Sequence, residues 1–197
     1  MRTFVTVVSD RPEVATRLQQ IFKSRTDNQW QVDAYDVINN LKGTSYCPKD
    51  EKEGWDKEVD FPPNQLWDEI IGPKWMNVEY NHDELPNNCN IVLSSASHVP
   101  TEFLSTLRNE LQKIDPTCYI KGTYEDESYE PCGAFVYGQF EYNEIEDTDE
   151  IYDWDEADED DFYNENWVEQ LNDMMDNLES GYIDYLEDRK NNPEDYE

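Results

Sequence analysis

The feature that most limits how this chain can fold is where its charge sits. Residues 141–197 carry 24 acids and only two bases, Arg189 and Lys190, a net −22. Residues 1–140 carry 23 acids and 13 bases, a net −10. A segment that repels itself so strongly cannot close a core of its own. If it is ordered, it must lie on a surface that the rest of the chain supplies.

The total of −32 also limits partners. Binding phosphate requires basic residues, so direct contact with nucleic acid or with an anionic membrane is not expected. Basic proteins and cations are the natural partners, through contacts that salt weakens. An aromatic fraction of 13% argues against a wholly disordered chain. The opening MRTFVTVVSD lacks the apolar length of a signal peptide, and no run approaches the length that spans a bilayer. Cys47, Cys89, Cys118 and Cys132 form no CxxC pair, which suits reduced thiols in a cytoplasmic protein.

Residues 1–140 read as alternating strands and helices. Phe4–Val8 is a strand, and Asp10 can cap a helix with Pro12 in its first turn and Glu13 as the capping-box acid. Val14, Leu18, Ile21 and Phe22 follow at helical spacing. An insert over about 26–76 holds a short helix near Asp33–Leu41 and a loop rich in Pro and Trp that contains Phe61-Pro62-Pro63. Strands follow at Asn77–Tyr80 and Asn90–Ser95. The next helix carries Leu104, Leu107, Leu111 and Ile114 on one face. Cys118–Ile120 and Ala134–Tyr137 are two more strands, with Cys118 and Cys132 expected to be buried as small apolar residues. The pattern predicts an α+β ferredoxin-like sandwich, an antiparallel sheet with two packed helices, to which an acidic C-terminal helix is added.

Three segments carry a family resemblance. Trp67-Asp68-Glu69-Ile70-Ile71-Gly72-Pro73-Lys74-Trp75 resembles the Trp…Gly-x-Lys-Trp segment of the Api-type ferredoxin-like bacteriophage proteins. Leu93 to Pro100 is similar to that family's strand-to-helix junction, with Ser97-His98 where the family has Trp-x. Gly122 to Glu127, with Cys132 to Phe135, resembles its Tyr-Glu-Glu…Gly hairpin. The resemblance covers about residues 1–140 and leaves the acidic region outside it. It implies a ferredoxin-like fold and a phage origin, and brings no catalytic motif to transfer.

The acidic region is not uniform. Tyr142, Tyr152, Trp154, Phe162, Tyr163, Trp167, Tyr182, Tyr185 and Tyr196 interleave its acids, and a tail that only solubilises has no use for them. Over about 162–189 the spacing of Trp167, Leu171, Met174, Leu178, Tyr182 and Tyr185 predicts a helix with one apolar stripe. Early acids and a late Arg189-Lys190 pair suit its dipole. Its carboxylates stand about one turn apart, roughly 5.4 Å, a spacing that can imitate a row of phosphates.

Chemistry-bearing motifs are otherwise missing. Counting from Asp153 through the acidic run that ends at Asp161 and beyond it, positions six and twelve of a calcium loop hold Asp158 and Asn164 instead of Gly and Glu. His82 and His98 have no second ligand pair at a recognised metal spacing, and no phosphate loop, GxSxG or HExxH occurs. The expected function is therefore non-enzymatic and needs no cofactor: an acidic surface that binds and inhibits a basic host protein of nuclease, restriction or polymerase type. Glu146, Asp147, Asp149, Glu150, Asp153, Trp154, Asp155, Asp158, Glu165, Glu169, Asp173 and Asp176 are the candidate partner-binding residues. The alternative is an adaptor whose sheet holds the partner while the acidic region serves solubility alone.

Overall fold

In Arg2–Val8 (β1) every second side chain is buried: Thr3, Val5 and Val7 point one way, and Arg2, Phe4, Thr6 and Val8 the other. That alternation marks a strand with two unequal faces. The computed structural model describes residues 1–24, 32–46, 64–73, 76–80, 88–96, 98–126, 132–148 and 165–196. Among these, six further strands follow: Val32–Asp33 (β2), Met76–Tyr80 (β3), Asn88–Ser95 (β4), Tyr119–Glu125 (β5), Cys132–Tyr137 (β6) and Asn143–Thr148 (β7). They form one sheet in the order β2-β3-β4-β1-β5-β6-β7, and every neighbouring pair is antiparallel.

The helices are Pro12–Ile21 (α1), Ala34–Lys42 (α2), Asn64–Ile70 (α3), Thr101–Gln112 (α4) and Glu165–Asn191 (α5). The apolar stripes of α1 to α4 meet Val5, Val7, Ile91, Leu93 and Ile120 in one continuous core. Each large side chain buried there contributes roughly 1.5–3 kcal/mol relative to exposure. All of these core residues lie before Gly138.

Local starts and stops follow the sequence with one correction. Asp10 does not cap α1; Arg11 holds the capping position without a side-chain cap bond. Pro12 opens the helix, where its missing N–H costs nothing, and Ser9 Oγ accepts from the Arg11 N–H at 3.1 Å. By contrast Asp33 caps α2, accepting from the Asp36 N–H at 2.9 Å. Gly43 ends it in the left-handed region at φ +68°, a conformation that Gly adopts without a Cβ penalty.

The expected sandwich of one sheet and two packed helices is too small. The fold is mixed α and β, with seven strands and five helices among the described residues. The insert brings its own apolar faces: α2 buries Val37 and Ile38, and α3 buries Ile70. Both join the shared core. The Phe61-Pro62-Pro63 loop lies outside the described residues. At the other end, β7 extends the sheet, and α5 covers the second face of β5 and β6.

Candidate protein-binding surface

β5 and β6 set up the surface. Directly paired residues of antiparallel strands share a face, and Lys121 pairs with Val136 while Glu125 pairs with Cys132. Cys132, Ala134 and Val136 thus lie on the face away from α1 and α4, and all three are buried. The element over them is α5. Its Leu171, 5% exposed, packs on Cys132 together with Met174, and its Tyr182 is 1% exposed. Met174, Leu178 and Tyr185 are half-buried, so the stripe read from spacing is the docked face from Leu171 to Tyr185; the Trp167 side chain lies outside the described residues.

Polar bonds fix the helix against sliding. Lys121 Nζ donates to Glu179 Oε2 at 2.6 Å, and Tyr119 O–H donates to Glu179 Oε1 at 2.6 Å. Lys121 also lies 3.7 Å from Asp176 Oδ1. Burial alone would raise the Glu179 carboxyl, but the bonds from Lys121 and Tyr119 and the lysine charge outweigh it, holding Glu179 below the ordinary carboxylate range. Burial, then the bond to Glu179, push Tyr119 far above the usual phenol range. At neutral pH Glu179 is therefore a carboxylate and Tyr119 a neutral phenol.

A turn after β6 locks the far end of α5. Gly138 N–H donates to Tyr142 O at 2.8 Å, and Gln139 N–H donates to the Tyr182 hydroxyl at 2.9 Å. From the opposite face, buried Arg108 of α4 donates to Gly138 O at 2.5 Å. The turn places Phe140 and Glu141 at φ +57° and +59°, which non-glycine residues adopt only at a cost of about 1–3 kcal/mol each. Tyr182 contacts Tyr119 and Tyr142 with ring centroids 5.2 and 5.1 Å apart, and Tyr142 reaches Tyr185 at 5.0 Å. Arg189 lies over Phe140 at 4.0 Å and Tyr196 at 4.9 Å.

With one side of α5 fixed, the other side is acid. Glu169, Asp173, Asp176, Asp184 and Glu187 are all exposed, with Asp176 at the edge of the row where it also reaches Lys121. At about 100° per residue they fall within an arc of roughly 80°, on the far side from Leu171 and Tyr182. At 1.5 Å rise per residue the row is about 27 Å long. Glu144 and Glu146 of β7 are exposed and share the α5 side of the sheet, through their pairing with Val136 and Ala134. Asp147 is exposed on the other side, where its carboxylate accepts a hydrogen bond from the Tyr124 hydroxyl.

The candidate residues divide accordingly. Glu146, Asp147, Glu169, Asp173 and Asp176 are placed at the surface of β7 and α5. Glu165 opens α5. Asp149, Glu150, Asp153, Trp154, Asp155 and Asp158 lie outside the described residues, as does His82. Sequence reading missed Tyr119, Lys121 and Phe140. A strand lysine facing a helix glutamate, 58 positions apart, leaves no local signal. Among the described residues no group of three or more His, Cys, Asp or Glu could hold a metal ion. No described helix is long and apolar enough to cross a membrane. No known protein family, curated protein or solved structure matches the chain.

Proposed function

We propose that this is a non-catalytic binding protein that presents the carboxylates of α5 to the basic, nucleic-acid-binding surface of another protein, competing with nucleic acid for it. The observation that carries this reading is the exposed row from Glu169 to Glu187 on a helix whose opposite side is docked. A docked helix pays less ordering entropy on binding than a free acidic tail. Charges held in a row also meet a basic groove together, giving steering and register. The aromatics, which a solubilising tail would not need, hold that row in place.

The central strands add a finer inference, a ferredoxin-like core. In its support, β3, β4, β1 and β5 adjoin in that order, with α1 after β1 and α4 after β4. This is the arrangement of a split βαβ unit. With the resemblance to phage proteins, it makes a host nucleic-acid-handling or defence protein the proposed target.

Capture from host lysate at low salt, followed by a salt gradient, identifies the partner. Competition with DNA or RNA then tests the mechanism. Glu169→Lys, Asp173→Lys and Asp176→Lys together are expected to weaken binding far more than any one alone, since a distributed row has no dominant residue. Unchanged affinity in the triple variant would return the function to the sheet and leave the acidic region to solubility.

A further inference from the structure

We propose that the outer edge of β7 takes an added strand from a basic partner, an extended segment whose residues run basic–basic–apolar–basic. This rests on the charge-presenting function above and specifies how the partner is held. Among the described residues β7 ends the sheet and pairs with β6 alone. An edge strand leaves a row of backbone N–H and C=O groups open to pairing, and strand addition is a recurring mode of peptide recognition.

Side-chain chemistry selects the occupant. Asn143 to Asp147 are exposed, and the charges there are of one sign: Glu144, Glu146 and Asp147. An antiparallel second copy centred on Ile145 would set Glu144 against Glu146 twice, and like charges directly opposite are destabilising. The edge therefore resists its own kind. A basic strand meets the reverse situation. Run antiparallel, its residues face Asp147, Glu146, Ile145 and Glu144 in turn, which gives the order basic, basic, apolar, basic. Two of the exposed large hydrophobics, Phe140 at 57% and Ile145 at 40%, lie on this one hairpin. Ile145 supplies an apolar seat in the middle of the register. Phe140, 57% exposed on its left-handed turn although Arg189 lies over its ring at 4.0 Å, supplies an aromatic contact beside the strand's start, the residue type that anchors interfaces.

The test uses the full chain and a synthetic peptide of that order flanked by Thr and Val. Two further peptides are N-methylated at alternate backbone amides, in the two opposite phases, and a fourth is scrambled. In an added strand only alternate N–H groups face the edge. One methylated phase should therefore lose about tenfold or more in affinity, because its bonds to the edge are gone, and the other should bind like the parent. Glu144→Gln with Glu146→Gln should weaken the parent peptide comparably without lowering the melting midpoint. Amide exchange at Asn143–Asp147 should slow on binding. If both methylated phases bind like the parent, and only the triple Lys variant of α5 loses affinity, the edge proposal falls and the charge reading stands. If no basic peptide binds at low salt, both fall.

Discussion

A Cβ added at Gly138 would come within 2.2 Å of the Tyr182 ring, so the ring reaches Gln139 N–H only because residue 138 has no side chain. Gly138→Ala is expected to destabilise the fold by about 1–3 kcal/mol, the usual cost of overpacking, measured by denaturant unfolding with unchanged slope. Glu179 sets a pH dependence. Burial opposes its charge, yet the bonds from Lys121 and Tyr119 leave its folded pKa depressed. The stability it supplies is therefore present above the unfolded pKa, about 4.3 for Glu, and is lost as pH falls through the folded value. Protonation of the other carboxylates, which relieves self-repulsion, is common to wild type and variant. The stability difference between wild type and Glu179→Gln should thus shrink as acid is added. A difference constant from pH 7 to pH 3 would mean that the Lys121–Glu179 bond is not formed.

At the scale of elements, α5 is a cover for β6, and a thiol reports whether it is in place. Cys132 is 1% exposed beneath Leu171, whereas Cys118 is fully buried in the core of α1 to α4. Undocking of α5 uncovers the first and not the second. Leu171→Ala, a large-to-small change worth about 2–5 kcal/mol in a packed site, should speed alkylation of Cys132 while Cys118 stays protected, read by peptide mass spectrometry. Equal rates at the two thiols would mean that α5 and the core open as one unit. In the wild type, amides of Leu171 and Leu178 should exchange slowly, since a self-repelling helix persists only where its apolar face is packed.

For the whole molecule, the excess charge is concentrated in residues 141–197. The main core uses no residue after Tyr137, so residues 1–140 alone are expected to melt cooperatively. Their midpoint should fall below that of the full chain, because Cys132, Ala134 and Val136 lose their cover and Lys121 its carboxylates. A shortened chain without a cooperative transition would make α5 an obligatory part of the core. Added salt should raise the full chain's midpoint by screening self-repulsion, and the shortened chain, with a net −10, should gain less.

Periodicity alone located β1, α1, β3, β4, α4, β5, β6 and α5, because each buries one face and repeats its apolar residues at the period of its backbone. It also picked out Leu171, Met174, Leu178, Tyr182 and Tyr185 as the side of α5 that docks. The β7 segment Asn-Glu-Ile-Glu-Asp-Thr reads as a charge run, since an edge strand exposed on both faces has no apolar alternation to show; the pairing with β6 makes it a strand. The left-handed turn at Phe140-Glu141 has no Gly or Asn to announce it and is imposed by Arg108 and Tyr182 from opposite faces of the sheet. That α5 crosses β5 and β6, with Glu179 on Lys121, was likewise settled only in three dimensions. A helix's sequence states which side must be buried; which surface buries it depends on where the rest of the chain leaves apolar area and an unpaired charge uncovered.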